Sequence, residues 1–240
     1  MDKLIVNNLS FSYDKKNITL DNISFSIKKN KTIGIVGANG SGKSTLLQIL
    51  IGSIEPLHGD IMIDDISIMK NKKLGQEKTG MVFQEPENQL FMPVVWEDVA
   101  FGILKKGKPL ADAKEEALKI LDLLEAGDLA ERAPYTLSHG EKQKAAIATV
   151  LVMKPEILLL DEPTASLDPR ARKNIITLLE NLVCTKIIAT HDLDMAIDIC
   201  DEVLFLDKGK IAGASDVPGL LYDEAFLQSI GLELPLSFKK

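Results

Sequence analysis

The run Gly37-Ala38-Asn39-Gly40-Ser41-Gly42-Lys43-Ser44 matches the pattern G-x-x-x-x-G-K-[ST] at every specified position. Thr32-Ile33-Gly34-Ile35-Val36 before it reads as a strand, and residues 44–51 have the apolar spacing of a helix. A glycine-rich loop between a strand and a helix lets successive backbone N–H groups converge on phosphate oxygens. The helix beginning near Lys43 adds the positive end of its dipole. Gly37, Asn39, Gly40, Ser41 and Gly42 form the cradle, and Lys43 brings a point charge to the outer phosphates. The Ser44 hydroxyl suits Mg2+, and Thr45 can donate to the innermost phosphate. A ligand-free turn is the competing reading, and the full match in this context weighs against it. A nucleotide is the expected ligand.

Ile157-Leu158-Leu159-Leu160-Asp161-Glu162 is an apolar strand ending in two carboxylates. Stability alone does not favour such an ending, because desolvating paired acids is costly. Asp161 is placed to hold the Mg2+ shell, and Glu162 to polarise a water in line with the γ-phosphate. A positioned base contributes about 10²–10⁴-fold in rate. Gln84 and His191 end two other apolar runs, Met81-Val82-Phe83 and Ile187-Ile188-Ala189-Thr190. Alone, each reads as an ordinary strand terminus. With the loop and the acids, they form a polar row at the carboxyl ends of parallel strands, where open α/β sheets bind ligands.

Strands alternating with helices imply a mostly parallel, buried sheet, an α/β fold, after an opening third of short strands. Residues 86–152 interrupt the alternation with a helical stretch. In it, Ala113, Ala117, Leu118, Leu121 and Leu124 form one stripe of an amphipathic segment at 111–125. The expected organisation is a single domain, 1–240. Its nucleotide-binding core is 1–85 and 153–213, its helical subdomain 86–152, and its tail 214–240, with a short helix around 223–230. The net charge of −7 argues against nucleic acid as a partner. Cys184 and Cys200 fit no metal spacing. The N-terminus does not read as a signal peptide, and no apolar run reaches the ~20 residues that cross a bilayer. Any membrane role is therefore expected to come through partner subunits.

These residues resemble the ATP-binding-cassette (ABC) ATPase family over about residues 4–213. Leu137-Ser138-His139-Gly140-Glu141-Lys142-Gln143 resembles its signature motif and Ser166-Leu167-Asp168 its D-loop. Gln84 resembles its Q-loop glutamine, expected also to ligate the metal, and His191 its switch histidine. The resemblance implies a P-loop ATPase fold with a mostly parallel core, an N-terminal antiparallel β subdomain and an inserted α-helical subdomain. It implies that Tyr13 stacks on adenine, worth ~1–3 kcal/mol by analogy with base stacking. It also implies a second ATPase subunit, in a homodimer or a heterodimer, bound head to tail, so that Ser138 and Gly140 complete the partner's ATP site. His139 stands where the family has glycine, and Lys144 where arginine is common. A side chain at 139 either crowds the opposing nucleotide, strains the backbone or points away.

Val82-Phe83-Gln84-Glu85-Pro86-Glu87-Asn88-Gln89-Leu90-Phe91 and Glu97-Asp98-Val99-Ala100-Phe101-Gly102 resemble the ATPase of energy-coupling-factor importers. Gly140-Glu141-Lys142, Ala189-Thr190-His191-Asp192-Leu193-Asp194 and Gly231-Leu232-Glu233-Leu234-Pro235 resemble its cobalt and nickel uptake members. The implied setting is the cytoplasmic face of a membrane, peripheral, through transmembrane coupling and substrate-binding subunits. Residues 90–96 read either as core of the helical stretch or as a groove for a helix of the membrane partner. The alternatives are the ATPase of another ABC transporter, for a vitamin or other solute, a soluble ABC ATPase acting on nucleic acid or ribosomes, and a small-molecule kinase. The last would leave the signature motif and His191 without a purpose.

Overall fold

The chain enters on a long strand, β1 (Asp2–Phe11), and pairs it back on β2 (Leu20–Lys28) before β3 (Thr32–Val36) leads into α1 (Lys43–Leu50). Then follow β4 (His58–Ile63), β5 (Ile66–Ser67), α2 (Lys72–Lys78), β6 (Thr79–Val82), α3 (Val95–Lys105), α4 (Leu110–Leu123) and α5 (His139–Leu151). The last third holds β7 (Ile157–Asp161), α6 (Pro169–Asn181), β8 (Thr185–Thr190), α7 (Leu193–Ile199), β9 (Glu202–Asp207), β10 (Lys210–Asp216) and α8 (Glu224–Ser229). The computed structural model describes residues 2–14, 16–217 and 219–238. Met1, Lys239 and Lys240, the ends of the expected 1–240 span and 214–240 tail, lie outside them, as do Lys15 and Pro218. The described chain falls into two units. One takes in 1–79, 156–162 and 183–240, and the other 80–155 and 163–182.

The first unit has two sheets. An antiparallel one runs in the order β2-β1-β4-β5. The other runs β10-β9-β3-β8-β7, with β3, β7, β8 and β9 parallel and β10 antiparallel to β9. Strands β3, β7 and β8 are buried at every position, as apolar parallel strands covered on both faces must be. Helix α1 packs against β7 and β8, and α7 against β3. Lys3, only 4% exposed, is paired with Asp64 at 2.7 Å and with Glu156, and Lys78 joins the same carboxylates. This four-charge cluster ties β1, the turn after β4, the end of α2 and the start of β7. The tail belongs to this unit's core, because Leu221, Leu227, Ile230 and Leu232 pack with Val36, Leu193 and Phe205. Asp194 accepts the backbone N–H of Leu236 at 2.9 Å and of Ser237 at 3.0 Å, which fixes the last turn.

The second unit is built on α3 to α6. Ala113, Ala117 and Leu121 of α4 are buried as their stripe implies, and α3, α4 and α5 pack on one another. The residues 90–96 divide between both expectations: Leu90, Val95 and Trp96 are buried, whereas Phe91 is 64% exposed. Asp98 in α3, 3% exposed, accepts the Phe91 and Met92 N–H groups, each at 2.9 Å, and so sets that loop's shape. Gln89 straps the preceding turn to α5 through Ala146 O at 2.9 Å and Thr149 Oγ1 at 2.6 Å. The Trp96 ring lies under the Lys114 ammonium at 4.5 Å.

Candidate functional site

The loop 37–44 joins β3 to α1 as its pattern requires. Gly42 is the N-cap of α1 with φ 107°, a left-handed value that glycine takes without strain. Lys43 is 6% exposed and folds back over the loop, donating to Gly37 O at 2.8 Å and Ala38 O at 3.2 Å. Burial pushes its ammonium below the ordinary lysine range, against the attraction of Glu162 and Asp161. Tyr13 is 65% exposed, edge-on to Phe11, with its hydroxyl 3.2 Å from Thr45 Oγ1. An exposed ring hinged beside Thr45 presents an open aromatic face next to the loop.

Asp161 ends β7, and Glu162 follows at φ 46°. Asp161 is 5% exposed, and burial raises its carboxyl above the usual range although the Ser44 hydroxyl donates to it. Its Oδ1 is buried with no hydrogen-bond partner. An orphaned buried carboxylate oxygen beside a serine hydroxyl is a donor set that suits a hard cation, so Asp161 and Ser44 fit Mg2+. Glu162 Oε1 lies 2.8 Å from His191 Nδ1 and 3.7 Å from Lys43 Nζ, while its Oε2 accepts from Thr190 Oγ1 at 3.1 Å. The first unit thus brings together Tyr13, the loop, Asp161, Glu162 and His191.

Gln84, Ser138 and Gly140 belong to the second unit. Gln84 is exposed just past β6. Ser138 is the N-cap of α5 in a closed capping box, its Oγ accepting from Glu141 N and its N–H donating to Glu141 Oε2 at 2.7 Å. Arg132, which sequence reading passed over, holds Glu141 Oε1 at 2.9 Å and Thr136 O at 2.9 Å. A Cβ on Gly140 would stand 2.9 Å from that of Ala171, so helix packing alone requires glycine there. His139 opens α5 with no left-handed φ, so the backbone strain considered for it is not needed. Ser138, Gly140 and Lys144 face Asp168, Arg170 and Asn174 across a concavity of about 450 Å³. No described helix is long and apolar enough to cross a membrane.

A family profile described as "ABC transporter" matches residues 20–165, more than half of the chain. The chain belongs to the ABC transporter family. The energy-coupling factor transporter ATP-binding protein EcfA1 of Streptococcus agalactiae is 38% identical to this ABC ATPase over 241 residues, 98% of this chain and 86% of that protein. A solved structure of cbiO1 from Clostridium perfringens, described as part of the ABC transporter complex cbiONQ, superposes with a TM-score of 0.84. It is 34% identical, covering 96% of this chain and 94% of that one. The ATP-binding cassette MJ0796, solved as a dimer in a post-hydrolysis state with ADP and Pi, superposes at 0.81 with 28% identity, covering 90% and 99%. The fold expected from the resemblance, with parallel core, antiparallel β part and helical insertion, is the ABC ATPase fold. As a member of the family, the chain is an ATP-hydrolysing subunit of an ABC transporter.

Thr190 was not singled out by sequence, because a threonine closing a strand is ordinary β composition. Its only sequence signal is its place beside His191 in the polar row at the strand ends.

Proposed function

We propose that the chain is the ATPase of an energy-coupling-factor importer that takes up a transition-metal cation, cobalt or nickel. The observation that carries the hydrolytic part is the meeting of Glu162, Lys43 and His191 at the carboxyl ends of parallel strands. The loop 37–44 cradles the phosphates of ATP, Tyr13 covers adenine, and Thr45 donates to the innermost phosphate. Ser44 and Asp161 hold Mg2+, which when bound neutralises the phosphate charge. Glu162 takes the proton of the attacking water and His191 steadies it. Ser138 and Gly140 complete the site of a second copy, bound head to tail. The dimeric state described for MJ0796 supports that arrangement. Membrane subunits carry the solute and hold the chain peripherally at the cytoplasmic face, with Phe91 and its loop receiving one of their helices. EcfA1 and cbiO1 support the importer class, and the resemblance of residues 140–142 and 231–235 supports the metal branch.

The test has three parts. Glu162→Gln should abolish steady-state hydrolysis and trap an ATP-dependent dimer on size exclusion. Phe91→Glu should leave the isolated chain folded and hydrolytic while uncoupling uptake in the assembled transporter. Cell-associated cobalt or nickel should rise only with the intact chain. ATP-stimulated uptake of a vitamin in place of metal would move the assignment to the other importer branch.

A further inference from the structure

We infer that Thr190 is the positioning residue for Glu162, dividing the carboxylate into an anchored oxygen and a working one. The inference rests on Glu162 being the base. Thr190 is fully buried at the end of β8. Its Oγ1 accepts the Asp192 N–H at 3.0 Å, which leaves the hydroxyl proton to be donated, and Glu162 Oε2 stands at 3.1 Å to take it. A β-branched side chain in a strand has a stiff χ1, so this donor does not wander. The other oxygen, Oε1, is the one directed at Lys43 and His191. Oε2 is therefore held by a buried hydroxyl, whereas Oε1, which meets the half-exposed His191 ring at 2.8 Å and the loop lysine at 3.7 Å, is the oxygen that takes the proton.

The backbone makes the same point. Glu162 sits at φ 46°, a conformation that is strained for a non-glycine residue and survives only where its surroundings enforce it. The enforcing contacts come from β8: Ala189 O accepts the Glu162 N–H at 2.8 Å, and Thr190 holds the side chain. In the β3–β8 ladder Thr190 is paired with Val36, the residue before the phosphate loop. The carboxylate is thus referenced to the strand beside the loop as well as to the half-exposed His191 ring.

The test compares Thr190→Val, which keeps the volume and removes the hydroxyl, with Thr190→Ser, which keeps the hydroxyl. With Mg-ATP and the full chain, Val should lower kcat by about tenfold or more with KM unchanged within about twofold, from the loss of one hydrogen bond to a charged group. Ser should recover kcat to within about threefold of the parent, since the donor is restored. Because Glu162→Gln abolishes steady-state turnover, that background is read by single-turnover hydrolysis with protein in excess, where Thr190→Val should add no further loss. A Val variant with parental kcat, a Ser variant as impaired as Val, or a full additional loss in the Gln background would each overturn the inference. If Val does not fold, Ala against Ser is read in the same way. If Glu162→Gln itself retains parental kcat, the base assignment fails. If it does not, and Val is harmless, only the positioning role fails.

Discussion

At Asp161 the chain keeps a carboxylate where burial resists its charge, with one oxygen left without a hydrogen bond. A carboxyl whose folded pKa is raised opposes folding fully above that pKa, and the opposition fades as pH falls from the folded value to the unfolded one. Asp161→Asn should therefore be more stable at neutral pH by about 1 kcal/mol, raising Tm by about 2–4 °C. The same variant should lose Mg-dependent hydrolysis. Melts at pH 7 and pH 4 check the sign, because the gain should shrink toward acid. A stabilising change that abolishes turnover marks Asp161 as kept for chemistry. The loop was legible in sequence through its complete pattern, and Asp161 and Glu162 because paired acids closing an apolar strand are costly to bury. Thr190 was not, since its role depends on which oxygen it faces across two strands.

Elements differ in how openly they were written. The parallel strands are continuous apolar runs, and α4 carries its stripe in plain view. Helix α2 was missed because it is polar on nearly every side, burying only Gly75, and depends on the Asn71 side chain capping Leu74 N. Strand β10 was missed because Lys210–Asp216 alternates weakly and becomes a strand by pairing with β9. Two predictions belong at this scale. Gly140→Ala should destabilise the α5–α6 packing by about 1–3 kcal/mol in urea unfolding, with or without nucleotide, because the added methyl meets Ala171. In the charge cluster, the hydrogen bond from Lys3 holds the Glu156 carboxyl below the usual range. A depressed carboxyl stabilises above its unfolded pKa, and that contribution is lost as pH falls through the folded value. Glu156→Gln should thus cost no more than about 1 kcal/mol at pH 7, Glu156 being half exposed and screened, and the difference should close below about pH 4.

For the whole molecule, the proposed nucleotide residues Tyr13, the loop 37–44, Thr45, Asp161, Glu162 and His191 belong to the first unit, whereas Gln84 and the residues proposed for a partner's nucleotide, Ser138 and Gly140, belong to the second. A ligand held by folded residues shifts the melting of the chain by mass action, about 2.7 kcal/mol at a hundredfold excess over Kd. ATP should therefore raise Tm of the parent chain by several degrees and leave that of Lys43→Ala nearly unmoved, as calorimetry would read. The chain contains one tryptophan, Trp96, buried within the second unit against the Lys114 ammonium. Its ultraviolet emission is consequently a private optical label for the helical part of the protein, present without any dye. Light collected from it on excitation at the red edge, where tyrosine does not absorb, will follow the loosening of that part alone.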